Sequence, residues 1–253
     1  MWRVLLCALV LAGCGRFGFG SAGDDVVDDD ASVVTTDGAV ADGLVDAAPL
    51  TADAKPCTGT AHLLTDNFDD NMFNAVVWGN SYEDATSRHV EANGRLEIRM
   101  AAGSTDDWAG YVSTMTYQLA GDRAFVEVPV VNAQRGNAVF LLWTSLAKTD
   151  GPSVEFERGR LLLRRRINDS ILDRANIAYD ATNHRWWQIR ELAGTMYWET
   201  SPDGVTWTVR HSEPTPSATT AIVVLAAGSG NGDPADLVVF DNFNGGGAPP
   251  ACP

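Results

Sequence analysis

His184-Arg185-Trp186-Trp187-Gln188-Ile189-Arg190-Glu191-Leu192-Ala193-Gly194-Thr195-Met196-Tyr197-Trp198-Glu199-Thr200 is the stretch that decides the fold class. Folded back at Ala193-Gly194, it sets Ile189 opposite Trp198 and Trp187 opposite Thr200 on one face. Arg190 then meets Tyr197, and Gln188 meets Glu199, on the other face. Side chains alternate across a strand. A slip of one residue would turn every apolar side chain outward, so the agreement of both arms specifies the register. Trp187, Ile189, Met196 and Trp198 are assigned to the core, and Trp186, Gln188, Arg190, Tyr197 and Glu199 to the outer face.

The same pattern repeats outward from this hairpin. Asn93-Gly94 separates His89-Val90-Glu91 from Leu96-Glu97-Ile98, and that dipeptide favours a type I′ turn. Arg158-Gly159 closes another hairpin, with Phe156 opposite Leu161, Val154 opposite Leu163, and Glu157 meeting Arg160 as a charge pair. The turn Ser201-Pro202-Asp203-Gly204 leads into Val205–Val209 and is expected to keep Trp207 beside Trp198. From Cys57 onward, turn signals recur every few residues between short alternating runs, and convincing helical periods are absent. The fold class read from this is all-β, an antiparallel two-sheet sandwich.

The first 56 residues have a different texture. Arg3 precedes the apolar run Val4–Leu11, which is too short to span a bilayer, since that takes roughly 20 helical residues. A short apolar run behind a positive residue reads as an export signal. Leu11-Ala12-Gly13-Cys14 resembles the bacterial lipobox, in which a peptidase cleaves before an acylated cysteine. The resemblance implies a signal peptide over 1–13, lipidation of Cys14, and a membrane as partner through that lipid. Gly15 in place of aspartate implies the outer membrane of a bacterial envelope. Residues 21–55 hold nine aspartates, one lysine and no aromatic residue. Such a segment buries too little to offset its ordering entropy. Residues 14–56 are therefore expected to form a disordered acidic tether carrying the domain 57–253.

Charge narrows the function classes. The chain has 33 acidic and 18 basic residues, a net charge of −15. An acidic surface repels phosphate backbones, so nucleic acid is not an expected partner. Arg164-Arg165-Arg166 is the local exception and reads as one charged strand face among acidic neighbours.

Several segments together resemble the concanavalin A-like lectin/glucanase superfamily, especially its laminin G-like members. They are Asp66-Asn67-Phe68-Asp69-Asp70 with Trp78, Gly94–Ile98, His184–Arg190, Tyr197–Trp207 and Phe240-Asp241-Asn242-Phe243. The resemblance implies a jelly roll whose first and last strands are neighbours. The near-repeat of Asp66-Asn67-Phe68 and Asp241-Asn242-Phe243 suits that pairing. Neighbouring terminal strands would bring the flanking Cys57 and Cys252 within bonding range, and export permits a disulfide between them. They would also gather Asp66, Asp69, Asp70 and Asp241. An oxygen-rich set of this kind suits calcium, and the same residue types equally serve as turn formers.

The superfamily holds sugar binders, adhesion modules and glycoside hydrolases, so fold does not choose among them. Its glucanases carry Glu-x-Asp-x-x-Glu on one strand. Glu155-Phe156-Glu157 is the nearest match, but Gly159 and Arg160 occupy the positions where the motif should continue. The four histidines form no metal-binding spacing, and Gly228–Asp233 reads as a loop between strands. The expected function is a non-catalytic carbohydrate-binding or adhesion domain on a lipid tether, with a glycan or envelope polysaccharide as ligand. An envelope scaffold subunit and an atypical glycoside hydrolase are the alternatives. Trp186, Gln188, Arg190, Tyr197 and Glu199 are the candidate sugar site, because rings beside a few placed polar groups are what a pyranose needs. The alternative for Trp186 and Tyr197 is that they cover the sheet, packed under a loop or against Arg190.

Overall fold

The computed structural model describes residues 58–103, 107–131, 136–144, 150–168, 170–215, 219–229 and 234–245. Cys7, Cys14, the acidic stretch, Cys57 and Cys252 lie outside them. Among the described residues, a 3₁₀ turn (Ala61–Leu63) and one helical turn (α1, Ala75–Trp78) precede the strands. In chain order these are β1 Tyr82–Glu83, β2 Ser87–Glu91, β3 Leu96–Met100, β4 Trp108–Val112, β5 Tyr117–Gln118, β6 Arg123–Val130, β7 Asn137–Trp143 and β8 Gly151–Glu157. Then follow β9 Arg160–Ile167, β10 Ser170–Ala178, β11 Trp186–Leu192, β12 Thr195–Ser201, β13 Thr208–Pro214, β14 Thr220–Gly228 and β15 Asp236–Asp241.

The strands form two antiparallel sheets. The first runs β1-β4-β14-β7-β8-β9-β10, with β5 also on β14, and the second runs β13-β12-β11-β6-β15-β3-β2. Their inner faces meet in one core that includes Trp187, Ile189, Met196 and Trp198, all assigned there from alternation. Across β11 and β12 the pairs are Trp187–Thr200, Gln188–Glu199, Ile189–Trp198 and Arg190–Tyr197, as the sequence predicts. The three two-residue turns place both residues at positive φ: Asn93 and Gly94, Arg158 and Gly159, Ala193 and Gly194. This is the type I′ requirement, whose twist matches that of the flanking strands. Arg158 and Ala193 meet it without the usual asparagine.

The ends of the domain close on each other, as the near-repeat implied. Asp66 bridges Phe243 in antiparallel fashion, and Phe68 and Phe243 are both fully buried. Asn244 completes the closure. Its amide donates to the carbonyls of Ala61 (2.9 Å) and Leu64 (2.7 Å), and its Oδ1 accepts from Phe125 N–H at 2.8 Å.

Two local expectations are corrected. Glu157 stands opposite Arg160 in register, but its ion pair is with Arg164 at 3.2 Å, because Arg160 turns to Asn176 instead. Trp207 does not sit beside Trp198. The β13 strand begins only at Thr208, so Trp207 stays on the outer side and packs edge-on against Phe125 at 5.7 Å.

Candidate functional site

The outer face of the β11–β12 hairpin carries the five side chains picked out as a sugar site, and the fold brings them together with Arg190 and the Gln188 amide already engaged on Glu199. Gln188 and Glu199 are 1 % and 3 % exposed. Arg190 grips Glu199 with two bonds of 2.9 and 2.7 Å, and the Gln188 amide donates to the same carboxylate. The Arg190 guanidinium also lies 4.1 Å from the centre of the Tyr197 ring. A Cβ at Gly204 would meet the Trp186 ring at 3.0 Å, so that turn lies against the indole, and Phe125 packs at 6.1 Å. A sugar needs an unoccupied ring face. Here the rings act as cover, because a buried carboxylate on this sheet requires a cation and the cation in turn takes the tyrosine face.

The four aspartates proposed for calcium all accept hydrogen bonds from nearby groups. Asp66 accepts from Phe68 N–H (2.9 Å) and Trp78 Nε1 (2.7 Å), and Asp70 accepts from Met72 N–H (3.0 Å). Asp69 accepts from the Asn67 amide (2.5 Å), and Asp241 from Asn242 N–H (2.7 Å). Asp241 is pushed up to about 6, chiefly by burial, with Glu127 and Asp69 adding to the effect. Among the described residues no group of three or more His, Cys, Asp or Glu is arranged to hold a metal ion. Phe68 N–H and the Trp78 indole take both Asp66 oxygens, and Met72 N–H takes one oxygen of Asp70.

A second surface was not singled out from the sequence: the outer face of the first sheet. Register and alternation place Trp108, Gly110 and Val112 of β4 there, with Ile222, Val224, Ala226 and Gly228 of β14 and Val139, Leu141 and Trp143 of β7. Six of these form a separate apolar cluster, Val112, Val139, Leu141, Ile222, Val224 and Ala226. They are only 2–5 % exposed, and Trp108 and Trp143 pack against them. Two glycines let aromatic rings lie down on the sheet. A Cβ at Gly228 would fall 2.3–2.8 Å from three ring atoms of Trp108, and one at Gly110 would fall 3.2 Å from Tyr82. Each ring so placed turns its other side away from the sheet. Trp108 and Trp143 are half-buried and Tyr82 is exposed. Their rows are six residues apart along β14, roughly 20 Å at about 3.4 Å per residue.

The polar end of this face lies on β8 and β9. Glu155 is 3 % exposed and accepts from Arg164 (2.5 Å), Arg166 (2.9 Å) and Ser153 Oγ (2.6 Å). Burial pushes this carboxyl up, but Arg166 and Arg164 outweigh it and hold the group below its ordinary range. Arg164 also pairs with Glu157 and with Asp173 (2.8 Å). Arg165 points the other way, to Glu213 of the second sheet at 2.7 Å. The basic run is thus a strand with two charged faces, where the sequence alone predicts one. On a flat sheet β1 and β9 would lie five spacings apart, roughly 24 Å. Yet Arg166 is close enough to Tyr82 to oppose the rise of that phenol to about 12, which burial and Asp84 cause. The chemistry available is ring stacking and directional hydrogen bonding. Glu155 and Glu157 share a face, and Arg164 ties both carboxylates together.

The signal for this surface was present in the sequence. Ala138-Val139-Phe140-Leu141-Leu142 and Ile222-Val223-Val224-Leu225-Ala226-Ala227 are unbroken apolar runs. Such runs mark strands buried on both faces, whereas a sheet wetted on one side alternates.

No protein-family model matches this sequence, and no curated protein matches it. Solved structures do. The β-glucanase of Bacillus licheniformis superposes with a TM-score of 0.52 at 15 % identity, over 71 % of this chain and 95 % of that one. Lectin I-B4 from Griffonia simplicifolia, in its metal-free form, gives 0.46 at 13 % identity, over 71 % and 98 %. The carbohydrate-binding module CBM66 from Bacillus subtilis gives 0.42 at 11 % identity, over 64 % and 92 %. At these identities the likeness is one of fold: a two-sheet jelly roll of the concanavalin A-like lectin and glucanase kind.

Proposed function

We propose that this chain is a lipid-anchored envelope protein whose jelly roll binds a carbohydrate chain, without cleaving it, along the outer face of the first sheet. One observation carries the reading: Trp108 lies over Gly228 on an apolar floor with Tyr82 beside Gly110, Trp143 is roughly 20 Å from Trp108 along the strands, and fixed arginine and glutamate heads stand alongside. That spacing suits an extended chain better than a single sugar. The commitment of Glu155 to two arginines supports binding over hydrolysis. Glucanase, lectin and carbohydrate-binding module among the structural neighbours are consistent with it.

The test is affinity electrophoresis of the full chain through gels containing envelope polysaccharide or mixed-linkage glucan. Trp108→Ala and Trp143→Ala should each weaken retardation at least about tenfold, the usual loss when a central aromatic contact is truncated. Trp143→Phe, which keeps a ring, should retain most of it. Unretarded wild-type protein on every polysaccharide would leave the scaffold reading, and alanine variants that melt normally and bind normally would move the site elsewhere.

The anchor and the cross-link belong to the same proposal. Leu11-Ala12-Gly13-Cys14 supports acylation of Cys14 and an outer-membrane location, and the closure of residues 61–66 on 243–244 supports a Cys57–Cys252 bridge. One measurement checks both. Intact mass of membrane-extracted protein, alkylated without reductant, should show loss of residues 1–13, an acyl addition and no labelled thiol. An intact N-terminus overturns the anchor, and two labelled thiols overturn the bridge.

A further inference from the structure

Between the edge strands β10 and β13 of the two sheets and the turn that follows β10, a cavity of about 560 Å³ is lined by Ile177, Tyr179, Asp180, Asn183, His184 and Arg210 among others. Arg210 is the extra residue of a β-bulge: Trp198 pairs with His211 and Glu199 with Val209, leaving Arg210 with no residue opposite. Bulges re-aim a side chain and are enriched beside functional sites. Arg210 Nε donates to Thr200 Oγ1 at 2.9 Å, which orients the guanidinium. Among the described residues it makes no ion pair.

His184 is equally constrained. Its N–H donates to the Asp180 carbonyl at 2.8 Å, and its own carbonyl accepts from the core indole of Trp187 at 2.8 Å. Asp180 N–H donates to His184 Nδ1 at 3.1 Å, so the neutral ring carries its proton on Nε2. The one acid lining the cavity is already taken. Asp180 Oδ1 accepts from the Thr182 and Asn183 N–H groups, and Oδ2 from the Asn183 amide. Tyr179, packed on Phe156 and tilted against His184, keeps its hydroxyl proton because burial and Asp180 push it up to about 12. The cavity therefore holds an excess of donors over acceptors, beside the apolar wall of Ile177.

We infer that this cavity binds the carboxylate of an acidic sugar, with Arg210 supplying charge and two-point geometry, His184 Nε2–H and the Tyr179 hydroxyl supplying further donors, and the Tyr179 ring and Ile177 bounding the pyranose. A guanidinium matches a carboxylate with paired N–H bonds. The carboxylate assignment stands on the cavity alone, and only the sugar part rests on the carbohydrate reading above.

A pH dependence follows. His184 faces Arg210 from β13, Asp180 from its own turn and Tyr179 just after β10, with Arg185 adjacent in sequence. Burial, then Arg210, hold the imidazole below its ordinary value. A bound carboxylate favours the imidazolium, so affinity rises as pH falls.

The experiment is calorimetric titration of the full chain with glucuronate, glucose, acetate and inorganic phosphate between pH 8 and 5.5, with the His184 ring followed by NMR. Glucuronate should bind more tightly as pH falls and should raise the His184 pKa, while glucose leaves both unchanged. Arg210→Gln should weaken glucuronate at least about tenfold, as expected for loss of a charge-assisted pair. The double variant Trp108→Ala, Trp143→Ala should keep glucuronate binding, which separates this site from the sheet face. Absence of glucuronate binding, equal binding of acetate or phosphate, or undiminished binding by Arg210→Gln overturns the inference.

Discussion

Asn244→Ala is expected to lower the stability of the domain by about 4 kcal/mol, moving a urea midpoint by roughly 2 M at a slope of about 2 kcal/mol/M. Asn244 is fully buried, and its side chain serves three main-chain groups: the N–H of Phe125 and the carbonyls of Ala61 and Leu64. Each partner left unsatisfied in a buried site costs about 1–3 kcal/mol. Alanine also inherits a φ of 50°, which asparagine tolerates better than other side chains that carry a Cβ. Asn244→Asp keeps the acceptor for Phe125 but removes both donors and adds a buried charge, so it should be at least as damaging. A midpoint within about 0.3 M of wild type for Asn244→Ala would mean that the two ends of the sandwich are held by packing alone.

Glu91→Gln should stabilise the protein at pH 8 by up to about 3.5 kcal/mol, at about 1.4 kcal/mol per unit of pKa shift, and by less than about 1 kcal/mol at pH 5. Glu91 sits on β2 facing inward, 7 % exposed, where it accepts from the Tyr111 hydroxyl at 3.0 Å. Its other oxygen is buried without a partner. Burial is the main cause that pushes this carboxyl up to about 7, Asp66 and Asp70 add to it, and the Tyr111 bond opposes it. For an acid raised in the folded state, the native protein holds its proton while the unfolded chain has lost it. Stability is therefore fully present below the unfolded value near 4.5 and falls as pH rises towards 7. Asp241, raised to about 6, contributes in the same sense between its ordinary 3.8 and that value. Glu155, held low by its arginines, acts oppositely, and its contribution is lost only in acid. Denaturation at pH 5, 6.5 and 8 should show wild type weakening across the series, with a much shallower slope in Glu91→Gln. Parallel slopes for the two proteins would refute the assignment. Glutamine preserves the acceptor for Tyr111, so any difference reports charge and not a lost bond.

The register of the β11–β12 hairpin, the turn types at residues 93–94, 158–159 and 193–194, and the burial of Trp187, Ile189, Met196 and Trp198 were all legible in the chain, because alternation and turn chemistry act over a few neighbouring residues. So was the meeting of Asp66-Asn67-Phe68 with Asp241-Asn242-Phe243, through a repeated motif and the fold it resembles. What covers each outward face was not legible. Alternation says that Trp186 and Tyr197 point away from the core. It cannot say that Phe125, Gly204 and the Arg190–Glu199 pair then close over them, since those contacts come from β6, a distant turn and a cross-strand neighbour. Nor can it say that Gly228 and Gly110, both remote in sequence from the rings they meet, make room for Trp108 and Tyr82 on the first sheet. The bulge at Arg210 is of the same kind. One residue of slippage between β12 and β13 leaves no mark on composition or period, yet it turns a guanidinium towards His184. Local periodicity determined the strands and their inward sides. The occupancy of the outward sides was decided by packing between segments far apart in the chain, where steric fit and the neutralisation of buried charge set the outcome.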